Sequence, residues 1–427
     1  MNAKNAIGIQ EALLDKITSQ RQELVALCSE LIQAPSENPP GDCSAVNDVL
    51  ARFLDRYGVP YHRHTSPAGR ENLVAQSKGQ PAGKGRALIL CGHTDVVPVG
   101  NPSEWSFPPF AGDVKDGFIR GRGASDMKGG LAGLAFVLAL LNQFRDWLPA
   151  TVTLAAVADE ETGGAEGAEW ILREGLVQGD ACLIGEPSLP DYPTVGQKGS
   201  CWFEVHIRGS SAHGSLSPLA GQSAIVLGSK AVLALQRLWE MEAPALPGIG
   251  ELIRRSSQHM EQERYAEVFR RVTVNVGTIN GGTKVNMVPD SCTFQVDTRV
   301  PFGLTPEEVL ARARELLEKE AGLAPEQFEV RPIGFQSRPN YTSPEEPVIQ
   351  SLLAAIRSVR GSTPHGVLQW ASSDARHFRA HGIPTVQYGP AWLPSIHGLD
   401  ERVRVDDVVE AAKVYAMFVV NFVCSLN

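Results

Sequence analysis

Three short apolar runs, RALILCGHTDVV, TVTLAAVADEE and DACLIGEPS, each end in acidic or imidazole side chains. Apolar runs of that length, bounded by glycine and polar residues, read as buried strands. The stretches between them have helical character: residues Leu131 to Phe144 are almost wholly apolar, and GAEGAEWILREGL carries the next helix. Strands that alternate with helices build a largely parallel sheet with helices on both faces, and such sheets do their chemistry beyond the carboxyl ends of the strands. The α/β class therefore follows from this one alternation, and it directs attention to the polar ends of the three runs.

The flanking segments complete the plan. Apolar positions recur at helical spacing from Ile9 to Gln33, SENPPGD stops that helix, and a second helix is expected from Ser44 to Tyr57. Residues Pro98 to Gly130 read as a long Pro/Gly-rich loop. After Gly196 the pattern changes to CWFEVHIRG, SAIVLGSKAVLALQRLW, RVTVNVGTIN, SCTFQVDTRV, TPEEVLARARELLEKEAG and QFEVRPIG, which is β-α-β-β-α-β, a small α+β unit of ferredoxin-like order. Two closing helices, VIQSLLAAIRSV and DDVVEAAKVYAMFVVNFV, return to the first domain. The expected division is 1–196 and 336–427 for the catalytic domain and 197–335 for an insertion. A chain of 427 residues is too long for one core, which agrees with two domains.

A net charge of -9 disfavours binding to nucleic acid or to an anionic membrane surface. The first twenty residues contain no continuous apolar segment of a secretory leader. The seven cysteines are scattered, odd in number and form no CxxC pair, so a disulfide framework or zinc knuckle is not indicated. The expected location is the cytoplasm.

His93 and Asp95 stand two apart in GHTDVV, where strand geometry would put both on one face and let the carboxylate orient the imidazole. Asp126 sits in the glycine-rich turn GRGASDMKGG ahead of an apolar helix, Glu160 and Glu161 end the second strand, Glu186 follows the third, and His397 lies in SIHGLDERV. Four carboxylates and two imidazoles converging on one rim of a sheet need a cation. Two divalent ions would use five of them: His93 and Glu186 on one, Glu161 and His397 on the other, with Asp126 between. Ligands of this nitrogen and oxygen mixture suit zinc, cobalt or manganese. Glu160 is left beside the ions, unbound.

GHTDVVP, WSFPPFAGDVKDGFIRGRGASDMKGG, DEETGGAEG, GEPS, SSAHGS, NGGTKVNMVPD and HGLDERV together resemble the successive motifs of the dinuclear zinc metallopeptidases. That family includes acetylornithine deacetylase, succinyl-diaminopimelate desuccinylase, aminoacylase and glutamate carboxypeptidase. The resemblance covers roughly residues 20 to 420. It implies the same five ligands, with Asp126 bridging, Glu160 as the base that takes a proton from water at the metals, and Asp95 as the group that orients His93. It also implies that His213 serves the oxyanion, often across a dimer in relatives, that Arg299 holds the substrate carboxylate, and that Asn286 holds the scissile carbonyl. The insertion is then a lid and dimerisation domain.

Glu186, where some aminopeptidase-like branches carry Asp, favours substrates with a free carboxylate and an acylated amine. Asp374, Arg376 and His377 of QWASSDARHF, with Trp392, are expected at the pocket mouth. The activity expected is hydrolysis of the amide bond of a small N-acyl amino acid or peptide-like carboxylate. The alternatives are another C–N bond on the same centre, such as a carbamoyl group or an aromatic amine, and a metal-binding relative without catalysis.

Overall fold

The three apolar runs become Leu88–His93, Val152–Val157 and Ala181–Ile184, every residue of which is buried. Leu88–His93 lies between the other two and pairs parallel with both, and Thr385–Gln387 adds a fourth parallel strand beside Ala181–Ile184. Burial on both faces explains why these segments are continuously apolar instead of alternating. Beyond Val152–Val157 the sheet continues through two antiparallel strands, Glu71–Ser77 and Tyr61–Thr65. These two carry polar and charged residues (ENLVAQS, YHRHT), so they lacked the apolar signal and were not expected from the sequence.

The computed structural model describes residues 3–80, 85–246, 248–259 and 263–424. It separates into two compact units. The first takes residues up to Val195, Tyr341–Gly366 and the chain from Ser373 onward; the second takes Gly196–Asn340 and Val367–Ser372. The short 367–372 segment lies outside the expected 197–335 insertion, and its Leu368 amide donates to Ser256 Oγ at 2.7 Å within the second unit.

Gly129–Asn142 is the core helix of the first unit, buried at every position. Taken with the preceding turn, as Ala124–Asn142, the stretch is long and apolar enough for a membrane span, but 94% of its apolar window is buried inside the molecule, as in a core helix. Gly130 permits its close approach to the sheet: a Cβ there would lie 1.9 Å from the Gly185 carbonyl oxygen, next to Glu186. The expected single helix over 9–33 is two, Ala3–Ser19 and Arg21–Gln33. Thr18 and Ser19 turn their hydroxyls back onto the carbonyls of Leu14 and Asp15, at 2.8 Å each, just before the break. Such back-bonding competes with the helix ladder and bends it. The loop expected over 98–130 contains Val114–Lys115 and Phe118–Arg120, which form a small antiparallel sheet with Arg402–Arg404.

In the second unit four antiparallel strands run in the order Thr273–Gly281, Ser291–Val300, Gly199–Arg208, Phe328–Ser337. This is the ferredoxin-like order, backed by Ala224–Leu235 and Pro306–Lys319. Thr305 starts the latter helix with a full capping box: its hydroxyl accepts from the Glu308 amide, and Glu308 accepts from the Thr305 amide. Ile249–Ser257 and a 3-10 turn, Glu263–Phe269, lengthen the crossover between the first helix and the second strand.

Candidate metal centre

Each parallel strand delivers its polar residues where it stops. Leu88–His93 ends on His93 itself, so Asp95 lies beyond the strand and the expected same-face pairing does not apply. His93 Nδ1 instead donates to the Asp95 backbone carbonyl at 2.8 Å, with the Asp95 carboxylate farther away at 3.6 Å. That carboxylate is occupied elsewhere: it accepts from the Glu160 amide (3.2 Å), the Glu161 amide (3.1 Å) and Asn38 Nδ2 (2.9 Å). Asp95 thus fixes the imidazole through its main chain and the two glutamates through its side chain. Asn38 belongs to SENPPGD, which as sequence carried only a helix-stop signal.

Two residues, Ala158 and Asp159, separate the end of Val152–Val157 from the acidic pair. Asp159 adopts φ 71, a left-handed conformation, and Glu160–Thr162 form a 3-10 turn closed by Gly163 and Gly164. Neighbouring strand residues point to opposite faces, so this early turn is what lets both glutamates reach one site. His397 also sits at positive φ, 59. Non-glycine residues in this region carry local strain that the surrounding structure must hold.

The expected ligands come together. Asp126 shares its two oxygens between two imidazoles: Oδ1 is 3.1 Å from His93 Nε2 and Oδ2 is 3.3 Å from His397 Nε2. Glu186 Oε1 is 3.8 Å from His93 Nε2, and Glu161 Oε2 is 3.5 Å from His397 Nε2. Ligand atoms about 2.0–2.1 Å from a tetrahedral zinc stand about 3.3 Å apart, close to these separations. Glu160 is nearer to ligation than the sequence reading had it: its carboxylate, with ligand atoms of His93 and Glu186, forms a set lying mutually within 4.8 Å. A second such set joins His93, Asp126 and Glu161. The buried Glu161 Oε1 has no hydrogen-bond donor. A buried carboxylate oxygen without a donor is costly, and a cation supplies what it lacks.

The electrostatics point the same way. Burial, followed by the charges of Glu186 and Asp374, pushes the Glu160 carboxyl well above its ordinary range. Burial does the same to Glu186, with Asp126 next, and raises Glu161. Hydrogen bonds to the carboxylates of Asp126 and Glu161, which accept from the ring, push the His397 imidazole up to about 10. At neutral pH the ion-free cluster therefore holds extra protons, which an entering cation must displace. Affinity for divalent ions should rise with pH across the neutral range. Calorimetry at pH 7 in buffers of different ionisation enthalpy should show at least about one proton released per ion; heats independent of buffer would refute this.

Glu401 was missed by sequence reasoning although it lies in the quoted motif HGLDERV. Its fully buried carboxylate accepts from Arg122 Nη1 (2.7 Å) and from the amides of Gly123 (3.1 Å), Ser125 (3.0 Å) and Asp126 (3.1 Å). It thereby holds the loop that presents the shared Asp126. The second unit carries the other three candidates. His213, at the start of a 3-10 turn, is exposed and pairs across an isolated bridge with Met287, while the Gly214 amide donates to the Asn286 carbonyl at 2.9 Å. The His213 and Asn286 segments are therefore neighbours. Arg299 is paired with Asp297, Nε to Oδ1 at 3.0 Å, and donates to Ser200 Oγ at 3.1 Å.

Residues 89–421 match the model of peptidase family M20/M25/M40. The chain belongs to this family. Succinyl-diaminopimelate desuccinylase of Roseobacter denitrificans is 29% identical over 421 residues, spanning 93% of this chain and 98% of the relative. An M20 family metallo-carboxypeptidase from Sulfolobus solfataricus superposes with TM-score 0.76 at 21% identity, over 94% of this chain and 99% of that one. The YXEP protein of Bacillus subtilis, a dinuclear metal binding peptidase of the M20 family, gives 0.67 at 17% identity over 95% and 99%. This M20 chain is a hydrolase that acts on C–N bonds of the amide type.

Proposed function

We propose that this M20 hydrolase removes the acyl group from a small N-acyl amino acid or peptide-like substrate that bears a free carboxylate. The observation that carries the reading is Asp126, whose two oxygens are divided between the imidazoles of two ligand groups. His93 and Glu186 would hold one divalent ion, Glu161 and His397 the other, with Asp126 shared, and zinc suits this donor set. Such ions polarise a carbonyl oxygen and lower the pKa of water from 15.7 to about 7.

Glu160 does the proton work. Asp126, Glu161 and Glu186 each approach an imidazole nitrogen within 3.8 Å, which is the company a ligand keeps. Glu160, on the same turn, takes a proton from the attacking water and passes it to the departing amine. Asp95 keeps His93 and the glutamate turn in register. His213 stabilises the developing oxyanion: the Ser215 amide donates to its Nδ1, which leaves Nε2–H as the donor of the neutral ring. Arg299 takes the substrate carboxylate and Asn286 the scissile carbonyl.

We further read the second unit as the lid and the dimer contact, and the protein as cytoplasmic. Support for the dimer is the edge strand Thr273–Gly281 together with Ile225, Val226 and Leu233 exposed along Ala224–Leu235. Free cysteines throughout, six of them buried, support a reducing compartment. The test is amine release from N-succinyl and N-acetyl amino acids by zinc-loaded protein, with sedimentation of the same sample. We expect turnover that a chelator abolishes, from a dimer. Metal uptake without turnover on any member of the panel would overturn the catalytic reading.

A further inference from the structure

The QWASSDARHF segment grips the turn that carries both glutamates. The Gly163 amide donates to the Glu160 carbonyl (2.9 Å) and the Gly164 amide to the Asp159 carbonyl (2.6 Å), closing the turn. The Gly163 carbonyl of that closure accepts from Arg376 Nη2 at 2.6 Å and lies 3.1 Å from His377 Nε2. Arg376 is buried and is steadied by Nη1 donating to the Ser373 carbonyl at 2.8 Å. The buried Asp374 closes off Gly164: a Cβ on that glycine would lie 2.2 Å from Asp374 Oδ1. On the opposite side the Asp95 carboxylate accepts the Glu160 and Glu161 amides. The turn is thus held between an acceptor at its start and a cationic donor at its end.

The guanidinium is a charge-assisted donor to the carbonyl that closes the glutamate turn, and such a bond fixes the backbone it grips more firmly than a neutral one. We propose that Arg376 is a positioning residue that acts through Glu160, setting where its carboxylate stands for proton transfer. The inference rests on the role given to Glu160 above. Misplacing a reacting group by about 1 Å costs up to about 10²-fold in rate.

A double-mutant cycle on zinc-loaded protein tests this, using R376A, E160Q and the combination, with metal-to-protein ratio and melting curve recorded for each. R376A should lower kcat by about 10- to 100-fold, leave KM within about twofold and keep the metal ratio of the unmodified protein. R376K should recover part of the loss, since one ammonium can still reach the Gly163 carbonyl. In the E160Q background R376A should cost nothing further. A kcat within threefold of the unmodified protein, an equal loss in the E160Q background, or loss of metal from R376A would each overturn the proposal. If R376A does not fold, R376Q, which removes the charge and keeps most of the side-chain volume, carries the same cycle with the same criteria. High activity in E160Q alone would instead sink the assignment of Glu160, a result distinct from failure of the Arg376 role.

Discussion

Glu160→Gln should still take up its divalent ions but lose at least about 10²-fold in kcat, the usual contribution of a positioned acid and base. The amide replaces the carboxylate at almost equal size, so the turn, the Asp95 contacts to its amides and the neighbouring ligands are undisturbed. Only the ability to accept and return a proton is removed. Glu161→Gln separates the two roles. Its Oε2 faces His397 at 3.5 Å, and its loss should appear first as weaker ion binding and only then as lower activity. Atomic emission on the two purified variants, beside their rates, decides the matter. An ion-free Glu160→Gln or a fully loaded Glu161→Gln would reverse the assignments.

Glu401→Ala has the largest expected effect on stability. Arg122 and Glu401 form an ion pair whose side chains are 3% and 1% exposed, and the same carboxylate serves three backbone amides. Truncation leaves a buried guanidinium without its counter-charge, a change that costs about 3–5 kcal/mol. The Gly123–Asp126 loop loses its acceptor at the same time, so Asp126 is no longer held between His93 and His397 and ion affinity falls as well. Urea unfolding of the ion-free protein measures the first effect, and titration with zinc the second. Unchanged values for both would show that the loop holds itself. Glu401→Gln, which keeps acceptor oxygen but loses the charge, should fall between the two.

The two glutamates show how far the sequence could be read. Their adjacency at the end of an apolar strand already required a special environment, because like charges are not buried side by side without cause. Regular strand geometry would send them to opposite faces, and the sequence pointed to the following TGG as the turn. The structure starts the turn earlier, at Asp159 in its left-handed conformation, and uses Gly163 and Gly164 to close it. Backbone handedness at an aspartate is a local choice that neighbours far along the chain enforce, here Asn38, Asp95 and Arg376. Asp95 was similarly legible as a residue but not as a set of atoms: its carbonyl, not its carboxylate, lies against the imidazole.

The elements divide in the same way. Strands buried on both faces announce themselves as apolar runs, so the parallel core of the sheet and the ferredoxin-like unit were readable from periodicity. The polar strands Tyr61–Thr65 and Glu71–Ser77, and the three-stranded sheet built from Phe118–Arg120 and Arg402–Arg404, owe their form to pairing with distant partners. By itself, then, the sequence determined the α/β class, the residues of the acidic and imidazole cluster, and the family. Only the tertiary structure decided how that cluster is held, through Asn38, Glu401 and Arg376. The hydrogen bonds that tie Asn38 to Asp95, Arg376 to Gly163 and Glu401 to Arg122 span 57, 213 and 279 residues of chain, and no local pattern encodes a contact at that range.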